Sequence, residues 1–152
     1  MLILVAVGSI IGGPVAGRLS DQFSHSRKVV TWVGLSLYCV SLFPLTGILK
    51  IQNTVWLGIH FFFIGFFTSF GLLVFSHAKD LFPISISGTV TTFVNFFTMA
   101  GGAIFMPLLG KVIESFPRTG TSYPSEAYHL AFLICFLGMV ASLIFYAFSK
   151  RR

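Results

Sequence analysis

The chain carries four apolar runs, residues 29–49, 54–78, 88–113 and 127–148, each long enough to cross the hydrocarbon core of a bilayer, which takes about 20 helical residues. A fifth run, residues 2–17, is apolar but shorter, and reads as the last part of a membrane helix. No soluble domain of 152 residues could bury this much greasy surface, because 55% of the chain is hydrophobic and only 9% is charged. The expected fold class is therefore all-α: a polytopic bundle of about five transmembrane helices forming a single membrane domain.

Between the first two runs lies a polar segment, residues 13–28, reading GPVAGRLSDQFSHSRK. It places Asp21, one of four acids in the chain, among Arg18, Arg27 and Lys28. Gly8 and Gly12, and then Gly13 and Gly17, are each spaced four apart, the pattern that lets a second helix approach closely in lipid. A second polar loop, HAKDLFPISIS, carries Lys79 and Asp80 before Ser87 or Gly88 opens the next helix, where a small polar residue can cap the first turn. Pro44 and Gly47 fall near the far end of the second run, and residues 50–53 read as a tight turn.

The net charge of +6 does not indicate a nucleic-acid partner, because the basic residues stand in small groups at the ends of apolar runs and form no basic helix face. Cys39 and Cys135 lie deep in apolar runs without metal-ligand spacing, and His25, His60, His77 and His129 are scattered. Neither a metal, another cofactor nor an enzymatic activity is expected, since no paired carboxylates or nucleophile with a base appear.

Alternation of five spans puts Arg18, Arg27, Lys28, Lys79, Lys150, Arg151 and Arg152 on one side and Lys50, Lys111 and Arg118 on the other. Seven basic residues against three orient the first group, and the C-terminus, toward the cytoplasm of a cell membrane, a bacterial inner membrane being the expected one.

Inside the spans, polar side chains are the informative ones, because lipid cannot satisfy them. Thr91, Asn95 and Thr98 repeat with helical spacing and share a face with Gly102. That face suits either a path for a small polar solute or hydrogen bonding to another helix, and Asn95 can donate and accept in both roles. His60 lies about two turns into its span and reads either as a titratable group in the path or as an interfacial packing residue.

Gly17, Leu19, Asp21, Arg27 and Lys28, in a loop between two spans, resemble the signature loop of the major facilitator superfamily. The stretch Ala78, Lys79, Asp80, Leu81, Phe82, Pro83, followed by Ser87, Gly88 and Thr89, is similar to the link between the tenth and eleventh helices of bacterial sugar-phosphate and organic-anion permeases of that family. Asn95, Gly101, Gly102, Ala103, Pro107 and Gly110 resemble the eleventh helix itself. Position 22 is Gln where the family usually has a basic residue.

The resemblance implies a portion of a secondary transporter, from the end of the eighth helix through the twelfth, moving a sugar, sugar phosphate or organic anion by alternating access. It implies a cytoplasmic gate in which Asp21, with Gly17, Arg18, Arg27, Lys28 and Asp80 around it, pairs with the opposite half. It also implies a missing N-terminal transporter half, either lost from a truncated or frameshifted gene or, if encoded separately, a partner of this chain. A complete five-span scaffold or assembly subunit without transport activity is the competing expectation.

Overall fold

The computed structural model describes residues 1–22, 27–48, 53–118 and 122–148. The basic tail Lys150, Arg151 and Arg152, together with Ser24, His25, Lys50 and Gly120, lies outside the described residues.

All the principal elements are helices: α1 (Leu2–Gln22), α2 (Arg27–Leu42), α3 (Thr54–Thr68), α4 (Leu73–Asp80), α5 (Ser87–Glu114) and α6 (Ser125–Ala147), with short 3₁₀ turns after α2, between α3 and α4, and before α5. Five stretches are long and apolar enough to cross a membrane: Leu2–Gln22, Arg27–Thr46, Thr54–Asp80, Ile84–Glu114 and Ser125–Ala147. The fold is thus a partial membrane helix bundle, with α3 and α4 making one span between them.

The boundaries move in instructive places. The first helix is not short: it runs through Arg18 to Gln22, so its 21 residues reach a spanning length of about 31 Å. Charge marks where a helix leaves the apolar layer, not where its backbone hydrogen bonds stop. At the other end of α2 the helix closes at Leu42, because Pro44 cannot continue the hydrogen-bond ladder, and a 3₁₀ turn, Phe43–Thr46, finishes the span.

Gly47 then adopts φ 86°, a conformation costly for any residue with a side chain. Its missing Cβ also leaves room for the imidazole of His129, whose Nδ1 donates to the Leu45 carbonyl at 3.0 Å and ties α6 to this turn. Asn53 starts α3 by accepting a hydrogen bond from the Val55 amide at 2.9 Å. The expected side-chain cap at Ser87 is absent. Ile86 occupies the cap position without a capping bond, and Ser87 is the first helical residue, placed there by the 3₁₀ turn Ile84–Ile86.

The tightest packing joins α1 and α3. A Cβ built on Gly8 or Gly12 would collide with the backbone of Phe62 and Phe66, and one on Gly65 with the backbone of Val5. With only hydrogens at the crossing, hydroxyls bridge the two backbones: Ser9 Oγ donates to the Val5 and Gly65 carbonyls at 3.0 and 3.1 Å, and Ser69 Oγ donates to the Ser9 carbonyl at 2.9 Å. Lipid supplies no hydrophobic drive between helices, so close contact and such bonds must hold the pair. The 3₁₀ turn Ser69–Leu72 follows directly, where Ser69 and Gly71 weaken the regular ladder. The other glycine pair, Gly13 and Gly17, meets nothing within 4 Å.

Candidate functional site

The polar residues near one end of the bundle converge although they come from four helices. Arg27 opens α2, and its Nη1 donates to both carboxylate oxygens of Asp80, at the close of α4, at 3.1 and 3.0 Å. Its Nη2 lies 3.7 Å from Asp21 Oδ1, near the end of α1. Asp80 is therefore the close partner and Asp21, whose side chain is 78% exposed, the loose one. Lys28 turns the other way and donates to the Ala147 carbonyl, at the end of α6, at 2.7 Å. Both cations leave the N-terminus of their own helix, where the dipole disfavours them, and lie against helix C-termini, where it favours them.

Beneath this layer the buried His77 of α4 shares a 2.8 Å hydrogen bond between its Nδ1 and the Tyr146 hydroxyl of α6, with the two rings edge to face at 5.6 Å. The Tyr146 hydroxyl is also in hydrogen-bond contact with Thr31, a fully buried residue of α2 that donates to the Arg27 carbonyl at 2.9 Å. The chain of contacts runs from the ion pair through the backbone of Arg27 to the last helix.

Of the residues singled out in the sequence, Asp21, Arg27 and Asp80 come together, and Lys28, next to Arg27 on α2, bonds instead to the end of α6. Gly17 and Arg18 sit on the last turns of α1, inside the helix and not in a loop; Gly17 has open space where a Cβ would be, and Arg18 is exposed. Sequence reasoning did not single out His77, Tyr146 and Thr31 as a unit. Their one local signal is that His77 precedes Asp80 by three residues and so shares its helix face.

Thr91, Asn95 and Thr98 do share a face of α5, but the chain leaves that helix largely bare. No described residue of α5 is buried; Asn95 and Thr98 are exposed and Thr91 is half-buried. The threonine hydroxyls donate to their own helix, Thr91 to the Ser87 carbonyl at 2.9 Å and Thr98 to the Val94 carbonyl at 2.8 Å. The carboxamide of Asn95 carries more donors and acceptors than its own helix can satisfy. His60 is elsewhere: α3 packs on α1 and α2, whereas α5 packs on α4 and α6. Its half-buried ring keeps Nε2 out of contact with solvent and without a hydrogen-bond partner among the described residues. No group of three His, Cys, Asp or Glu able to hold a metal ion occurs among the described residues.

The family model for the Major Facilitator Superfamily matches residues 1–152. The chain belongs to the Major Facilitator Superfamily. It is accordingly a multi-pass membrane protein of a transporter family, and the ion pair and the bare polar face are to be understood in a major facilitator bundle. Among curated proteins and solved structures, none matches the chain.

Proposed function

We propose that the chain is part of a secondary transporter that carries a small polar solute, a sugar, sugar phosphate or organic anion, by alternating access, and that Thr91, Asn95 and Thr98 lie along its path. The observation that carries this reading is α5: a helix of membrane-spanning length with no buried residue among those described, bearing an exposed carboxamide about 12 Å from its start. An amide facing hydrocarbon goes unsatisfied at a cost of several kcal/mol, so the face belongs against water, solute or further protein. We infer that further transporter helices, in the same or a separate chain, cover it, and that transport is rocking of those helices against this bundle.

In the same reading the Asp21–Arg27–Asp80 cluster lies at the cytoplasmic end, with the C-terminus, as the distribution of basic residues suggests. Partly exposed ion pairs contribute roughly 0.2–1 kcal/mol each, small enough for a gate that must open and close. The uncovered α5 face would equally serve a scaffold that docks another membrane protein without transport.

The experiment that separates them is uptake of radiolabelled glucose, glucose 6-phosphate and citrate by cells expressing the chain with its covering helices. Asn95→Ala is expected to lower uptake of whichever solute is carried by roughly three- to tenfold, the value of one hydrogen bond, with membrane abundance unchanged. Undiminished uptake by an inserted Asn95→Ala protein would remove Asn95 from the path, and no uptake of any solute by the intact assembly would favour the scaffold.

A further inference from the structure

Lys28 does more than anchor the end of α6. Its side chain, bonded to the Ala147 carbonyl, also lines a groove of about 350 Å³ between α2 and α6, together with Val29, Trp32, Val33 and Ala147. Val29 and Val33 also form one wall of a second groove of about 500 Å³ on the other side of α2, which continues past Leu37 and is faced by Phe66, Phe67 and Phe70. The two valines are thus a ridge between two apolar channels.

Val29, Val33 and Leu37 stand on successive turns, so the second channel runs about 12 Å down the helix from the level of Lys28. A cation at the head of a ridge with an apolar channel on either flank matches the layout of a two-chain lipid with an anionic headgroup. Trp32 is 42% exposed one turn below Lys28, the depth at which an indole meets headgroups.

We propose that the Val29/Val33 ridge is a specific site for one anionic phospholipid, its phosphate on the Lys28 ammonium and one acyl chain in each groove. The phosphate accepts hydrogen bonds from Nζ in a charge-assisted contact, and the dielectric at the edge of the apolar layer strengthens it relative to water. The site needs only the membrane and is independent of whether the chain transports.

The test uses the full chain carrying Trp56→Phe, so that Trp32 is the sole indole. It is reconstituted in phosphatidylcholine vesicles with a minority of chain-brominated phosphatidylglycerol, or of chain-brominated phosphatidylcholine in its place. Half-quenching of Trp32 is expected at about fivefold less brominated phosphatidylglycerol than brominated phosphatidylcholine, the preference one lysine gives near an anionic lipid.

Lys28→Gln should bring the two curves together, whereas Lys28→Arg should keep them apart, as should Lys79→Gln, which removes a cation that lines neither groove. Coincident curves in the parent chain would overturn the site, and so would a separation that survives Lys28→Gln. Loss of the separation on adding inorganic phosphate at constant ionic strength would also overturn it, because the site would then be one for a soluble anion. Should Lys28→Gln fail to reconstitute, the parent comparison and the Lys28→Arg variant still decide.

Discussion

Helices α1 and α5 carry similar small-residue patterns and meet opposite fates. On α1, Gly8 and Gly12 are spaced so that α3 can lie directly on the backbone, and any Cβ there would strike Phe62 or Phe66. On α5, Gly88 and Gly102 flank Asn95 at intervals of seven residues, yet a Cβ at Gly88, Gly101, Gly102 or Gly110 would meet nothing within 4 Å. The α1 pattern is consumed by packing inside the chain. The α5 pattern is left over, and what is left over in a membrane protein must be accounted for by another surface or by water.

That contrast can be broken most severely at the crossing itself. Gly8→Leu or Gly12→Leu forces two backbones apart and is expected to cost about 3 kcal/mol or more, read as loss of folded, detergent-stable protein. Gly102→Leu should leave the thermal stability of the same chain unchanged, because it fills open space. Equal damage from both would mean that α5 is covered after all by the chain's own helices.

The next effect is smaller and concerns the end of the bundle. Asp80→Asn is expected to cost about 1 kcal/mol, leaving the more distant Asp21 as the counter-ion of Arg27 among the described residues. The reversed pair, Arg27→Asp with Asp80→Arg, should recover part of it in a denaturation series, while Asp21→Asn should do almost nothing to stability. Smaller than the Asp80→Asn loss is that of Ser69→Ala, about 0.6 kcal/mol, since it deletes one interhelical hydroxyl bond from a crossing that the glycines still permit.

How far the sequence foretells this molecule follows from what each feature depends on. The five spans depend on local hydropathy, and they are legible. The Gly8–Gly12 approach is legible as a pattern, but the identical spacing at Gly13 and Gly17 packs against nothing, since a partner helix is a matter of tertiary placement. The continuation of α1 through Asp21 is not legible in hydropathy, because charge ends the apolar run without ending the helix. The Ser69 hydroxyl, at the 3₁₀ turn Ser69–Leu72, meets the Ser9 carbonyl 60 residues away, a contact that no window of sequence contains.

At the candidate site, Asp21, Arg27 and Asp80 stood out as rare charges, but which acid Arg27 would take was not written locally. The His77–Tyr146–Thr31 contacts join three helices and were invisible for the same reason. Thr91, Asn95 and Thr98 are legible as a face, and the structure adds that no described residue of their helix is buried.

The central claim is that the Asn95 face of α5 meets an aqueous path while the rest of that helix meets lipid or protein. It is tested most directly by thiol accessibility in the assembled transporter, in a background where Cys39 and Cys135 are replaced by Ser. Asn95→Cys and Phe93→Cys stand two residues apart, roughly 200° around the helix and at nearly the same depth. The account predicts that a water-soluble maleimide labels the cysteine at position 95 and spares the one at position 93. Equal labelling at both positions, or labelling at 93 alone, would contradict it.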